Sequence, residues 1–280
     1  MLELILFAIG IIGFGAAAYF DLRYTEFADW LPYGMIILVL AIRTIFSFYT
    51  GNFLILINSI IFGLLFLGLG FLLYFTKQWG DGDAWLLGVL GFLFPDKESM
   101  VFLQGYSSII PFYLTLVFNL FLVSLFYIVA YSLVLGAKNK SVRKDFSLSL
   151  KRSKKGIFSV SATVLVALIV FTLYFVHFQS TYSFLLFPFY SALGLIYLLY
   201  FFVKYAKSIE NKAFTRKIPT NKLKLGDVLV SDKWRGLTKK DINQIKKSKK
   251  FVYIKEGIRF APVFVITVLV TALYGGLLFL

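Results

Sequence analysis

The chain has 280 residues, of which 59% are hydrophobic and 19% aromatic. This composition excludes a soluble globular domain and implies several of the ~20-residue apolar segments that a bilayer crossing needs. No cysteine is present, which excludes disulfides, thiolate metal sites and a thiol nucleophile; the lone His177 cannot build a metal site, and the net charge of +15 is explained by membrane topology before nucleic acid.

In chain order, apolar segments are predicted at 2–20, 31–49, 53–76, 83–95, 111–136, 156–178, 183–205 and 259–280. The fold class expected is an all-α polytopic membrane protein, a bundle of about 6–8 transmembrane helices with a small cytoplasmic α+β insertion. The first segment is too long for a signal-peptide core and lacks a cleavage-like end, so it is expected to remain in the mature protein. The fourth is short, either half-embedded or extended toward Gln104. Arg43, inside the second, is expected to snorkel or to pair within the bundle. Asn58, Ser59 and Asn119 lie in apolar segments and predict helix–helix hydrogen bonds. His177, at the end of an apolar run, reads as an interfacial residue.

Charge placement divides the chain further. Residues 1–136 form a membrane core, and 137–155 a basic cytoplasmic loop. That loop holds Lys138, Lys140, Arg143, Lys144, Lys151, Arg152, Lys154 and Lys155 against Asp145 alone. Residues 156–205 read as an additional transmembrane hairpin, 206–258 as a small soluble cytoplasmic domain and 259–280 as a final transmembrane helix. Within 206–258, residues 222–230 predict a short strand with a turn at Gly226-Asp227. Thr238 and Asp241 predict a capped helix start, and 251–254 another strand. Its lysines are expected to face anionic lipid head groups, not nucleic acid. With the amino terminus outside, both basic segments fall in the cytoplasm, as the positive-inside rule requires. The turns 21–30 and 77–83 then face the cytosol too, while the outer turns 50–52, 96–108 and 179–182 carry one basic residue, Lys97.

Those two cytosolic turns hold the chemistry. Asp21 follows the first apolar run, and Gly80-Asp81-Gly82-Asp83 precedes the fourth. A carboxylate at a membrane helix mouth costs on the order of 3 kcal/mol, so it marks a site by default. The glycines are expected to supply backbone freedom and close substrate approach, with Asp83 opening the next helix. Two carboxylates at hydrogen-bonding distance share one proton and titrate together. One then serves as general base on a water and the other as general acid, which hydrolyses a peptide bond without metal or cofactor. The plainer reading makes these aspartates helix caps or topology anchors. Asp81, Glu26 and Asp29 read as solvent-facing loop residues, and with the aspartates they form an acidic collar that would attract a basic peptide.

The paired motifs Asp21-Leu22-Arg23 with Glu26 and Asp29, and Gly80-Asp81-Gly82-Asp83, resemble the G-x-G-D membrane aspartic peptidases that process type IV prepilins and archaeal preflagellins. Three late stretches are also similar to archaeal members: Lys224-Leu225-Gly226-Asp227-Val228-Leu229, Gly236-Leu237-Thr238-Lys239-Lys240-Asp241-Ile242 and Gly257-Ile258-Arg259-Phe260-Ala261-Pro262. The resemblance implies Asp21 and Asp83 as catalytic pair, with Gly80, Asp81, Gly82, Glu26 and Asp29 as motif or substrate-binding residues. It implies pilin-like or archaellin precursors as partners, cut on the cytoplasmic side of the cell membrane after a short basic leader. The cysteine-rich loop and methyltransferase of bacterial relatives have no counterpart, and the hairpin at 156–205 is additional to the family's usual six spans. The rivals are a proton- or ion-coupled transporter using the same aspartates, and a membrane scaffold.

Overall fold

In the computed structural model, the described residues are 2–100, 110–178, 186–231, 236–255 and 257–277. Their helices are α1 (Leu2–Tyr24), α2 (Trp30–Thr50), α3 (Leu54–Phe75), α4 (Asp81–Leu93), α5 (Phe112–Lys138), α6 (Lys140–Arg152), α7 (Lys154–Phe178), α8 (Leu186–Lys212), α9 (Lys239–Ser248) and α10 (Pro262–Tyr274). Three strands, β1 (Thr215–Pro219), β2 (Val228–Leu229) and β3 (Phe251–Lys255), make one antiparallel sheet in the order β1-β3-β2. Among the described residues six helices, α1, α2, α3, α5, α7 and α8, are long and apolar enough to cross a membrane. The remaining two apolar segments give α4 and α10, each of 13 residues. At 1.5 Å per residue each is about 20 Å long, short of the roughly 30 Å hydrocarbon layer. The protein is thus a polytopic helical membrane protein with a small sheet. The chain packs as two units, residues 1–129 with 257–280, and residues 130–256.

In the first unit α4 is the centre. It is apolar on every face, and from Ala84 to Leu93 only Trp85 is not fully buried. Glycines let α3 approach it closely: a Cβ on Gly70 would stand 2.6 Å from the Ala84 carbonyl oxygen, and one on Gly91 2.5 Å from that of Phe62. Ser59 Oγ donates to the Phe92 carbonyl at 2.6 Å. Arg43 does not snorkel. Its buried guanidinium donates to the Leu93 carbonyl at 2.8 Å, to Ser99 Oγ at 3.1 Å and to the Ile55 carbonyl at 3.2 Å. A cation at the carbonyl end of α4 also complements the helix dipole. Replacing Arg43 by Met strands these acceptors, so chemical or thermal unfolding should show a loss on the order of 3 kcal/mol. Asn119 of α5 donates to Thr271 Oγ1 and to the Gly275 carbonyl just beyond α10, as its polarity predicted. Asn58 is half-buried, and no such bond is seen for it among the described residues.

The second unit holds α6 to α9 and the sheet. The expected basic loop is instead the helix α6, whose Asn139 caps the first turn by accepting from the Ser141 amide. Its composition hid an apolar stripe: Val142 is buried, and Phe146 meets Tyr205 of α8 edge-on at 5.3 Å. The apolar segments expected at 156–178 and 183–205 form the helices α7 and α8, which together begin earlier, at Lys154, and end later, at Lys212. Strand β1 pairs with β3 from Thr215↔Lys255 to Pro219↔Phe251. Ile218, Leu223, Leu237, Ile242 and Val252 form the small core beneath the sheet. The capping box of Thr238 and Asp241 starts α9, and Gly226 turns the chain with φ of 87°. Only Val228 and Leu229 of the expected 222–230 strand are extended in the sheet, because residues 220–222 form a 3-10 turn. The turn expected at 179–182, the side chain of His177 and the extension toward Gln104 lie outside the described residues.

Candidate functional site

Helix α1 continues through Asp21 to Tyr24, so Asp21 sits in the last helical turn instead of following the helix. A carboxylate is disfavoured at that negative end and needs donors. The structure supplies them from α10: the Ala261 amide donates to Asp21 Oδ2 at 3.0 Å. The Phe260 amide and the Arg259 guanidinium stand within electrostatic reach. These N–H groups belong to the start of α10, where Pro262 occupies the first turn and the amides are otherwise unpaired. Asp21 is 6% exposed.

The second motif is the opening of α4. Gly80 is its N-cap with φ −75° and ψ 161°, and Asp81, Gly82 and Asp83 are already helical. Asp81 is therefore a helix residue, not a loop residue, though exposed as expected. Asp83 is the third helical residue, where its carboxylate faces the Gly80 amide within electrostatic reach. Neither glycine has a positive φ. What Gly82 supplies is room: a Cβ there would lie 2.7 Å from Phe27 Cζ.

Aromatic rings tie the two motifs together. Trp79 packs on Phe260 at 5.1 Å and on Phe264 at 6.1 Å, and Phe264 stacks on Phe14 of α1 at 5.8 Å. The approach to α4 thus leans on the same turn that holds Asp21. Asp83 lies at the open end of α4, outside the six crossing helices. Burial first, and then the charge of Asp21, push its carboxyl up to about 7, with the Gly80 amide acting the other way. Two carboxyls that sense each other in a partly dry setting do not ionise independently, and the charge of one makes the other hold its proton longer. Glu26 and Asp29 are exposed between α1 and α2. No group of three or more metal-binding side chains occurs among the described residues. Trp79, Phe27 and the 260–261 amides were not anticipated as parts of the site. Trp79 adjoins the motif, and the 257–262 stretch was noticed only for its resemblance.

Residues 8–137 match the type IV leader peptidase family. That match carries both aspartates and the Gly80–Asp83 motif. A preflagellin peptidase of Methanococcus voltae is 33% identical over 110 residues, which cover 39% of this chain and 45% of that protein. The chain therefore spans a little under half the length of the curated relative it matches. No solved structure matches the chain.

Proposed function

We propose that the protein is an aspartic endopeptidase that removes short basic leader peptides from type IV pilin-like or archaellin precursors at the cytoplasmic face of the membrane. The observation that supports this reading is Asp21, held by the Ala261 amide and within electrostatic reach of Asp83, both inside the segment that matches the type IV leader peptidase family. Asp21, held by main-chain donors, acts as general base on a water. Asp83 carries the shared proton and passes it to the carbonyl oxygen of the scissile bond, and the pair later protonates the leaving amine. The reaction needs no metal, cofactor or nucleophilic side chain.

The cytoplasmic orientation is supported by the basic residues of 137–155 and 204–259, the positions at which the positive-inside rule acts. A transporter would place its carboxylates near the bilayer midplane, whereas these lie at helix ends, and the comparisons lend that reading no support. Incubation of the purified protein with a pilin-like precursor bearing a basic leader should give one cut just before the precursor's hydrophobic helix. The cut should disappear in Asp21→Asn and in Asp83→Asn, and persistence in either variant removes the dyad.

Glu26 and Asp29 are proposed to draw the leader in. Reversing both to Lys is expected to lower kcat/KM on a basic-leader substrate by about 10-fold at low salt, mainly through KM, and less at 1 M salt. Unchanged kcat/KM at low ionic strength would remove the collar from the account.

A further inference from the structure

Helix α6 joins α5 through Asn139 alone and α7 through Ser153 alone. Both neighbours are among the membrane-crossing helices, so each end of α6 is tied to the emerging end of a crossing helix. A helix of 13 residues tied at both ends in this way lies along the membrane plane. Its inner stripe is taken by α8 through Val142 and Phe146, which leaves a fixed outward surface. Lys140, Arg143, Lys144, Lys151 and Arg152 are all exposed on it, and Leu148 is 40% exposed among them. None of the five cations has a carboxylate partner among the described residues. Lys204 of α8 adds a charge beside the α6–α7 joint, its Nζ donating to Ser153 Oγ at 2.7 Å.

We infer that α6 is an anionic-lipid docking helix, whose basic surface gathers phospholipid head groups around the second unit. A topology signal alone needs only a few cations on a flexible loop. Here the cations are ordered on one helix at head-group depth, unpaired and accompanied by a short apolar side chain, the pattern of an interfacial helix. The inference is independent of the proposed peptidase activity, and its test does not use cleavage.

The full-length protein in detergent is equilibrated with equal phosphatidylglycerol and phosphatidylcholine, and retained lipid is counted by native mass spectrometry. The protein should retain the anionic lipid several-fold over the zwitterionic one, and the preference should shrink as salt rises from about 0.1 M to 1 M, where the Debye length falls to about 3 Å. The combined variant Lys140→Gln, Arg143→Gln, Lys144→Gln, Lys151→Gln and Arg152→Gln should lose the preference. The four-residue set Lys239→Gln, Lys240→Gln, Lys246→Gln and Lys247→Gln on α9, which strands β2 and β3 flank where crossing helices flank α6, should keep it, against the expectation that the lysines of 206–258 face lipid. If the α6 variant does not fold, the salt dependence and the α9 variant still decide. Equal retention of the two lipids by the unaltered protein overturns the inference, as does an unchanged preference in the α6 variant or a lost one in the α9 variant. Preferential capture of a single-stranded RNA through the same five residues, without lipid preference, overturns it in favour of nucleic acid.

Discussion

The variant Asp83→Asn is expected to lose cleavage by about 10³-fold or more and, at neutral pH, to be more stable than the unaltered protein. The sign follows from the proton. Asp83 ionises near the ordinary value of 3.8 in the unfolded chain and at about 7 in the fold. Between those values the fold keeps a proton that the unfolded chain has released, so native stability declines as pH climbs. The cost is absent below about pH 4 and complete above about pH 7. Asparagine keeps the shape and the acceptor for the Gly80 amide but has no charge to bury. Melting curves should therefore place the variant above the unaltered protein by several degrees at pH 8, and the two together at pH 3.5 to 4. On the proposed function, cleavage by the unaltered protein should weaken as pH passes about 7, where Asp83 surrenders its proton. A variant less stable at every pH would show that Asp83 is held for its fold and not for its chemistry.

Gly70→Ala should be strongly disruptive in the membrane core, at the α3–α4 contact nearest the site. The added carbon would meet the Ala84 carbonyl oxygen at 2.6 Å and its Cα at 2.9 Å, and backbone cannot rotate aside as a side chain can. Helices α3 and α4 must part, at about 1–3 kcal/mol. Ala84 adjoins Asp83, so the displacement reaches the site, and a shift near 1 Å is enough to lower kcat by about 10- to 100-fold. Gly68→Ala is the matched control. Nothing lies within 4 Å of its Cβ, so it should be neutral or stabilising by up to about 1 kcal/mol, with unchanged cleavage. Equal effects at the two positions would refute the close approach of α3 to α4.

How much of this could be read beforehand depends on what each residue contributes. Asp21 and Asp83 stood out because a carboxylate at the end of an apolar run has few cheap explanations. Ser59 and Asn119 were legible for the same reason, and each meets a partner across a helix pair. The donors to Asp21 were not legible, because a main-chain N–H has no residue signature and lies 240 positions away. The role of Gly82 was misread: chain freedom is a property of glycine anywhere, whereas the need for space arises only when Phe27 is known to be above it. Helix α6 was missed because its charges dominate its mean polarity, while its apolar positions are few and spaced for one partner. Strand β1 was hidden similarly, with Arg216 and Lys217 at its centre and only Ile218 buried.

The bond between Ala261 and Asp21 bears on inhibition. A compound that competes for the Asp21 carboxylate must offer a hydrogen of its own along the axis of α10, since the displaced donor belongs to a helix end that cannot swing away. Under the proposed function, a hydroxyl-bearing mimic of a hydrated peptide bond meets that demand by donating to the remaining lone pairs of Asp21, without evicting the amide.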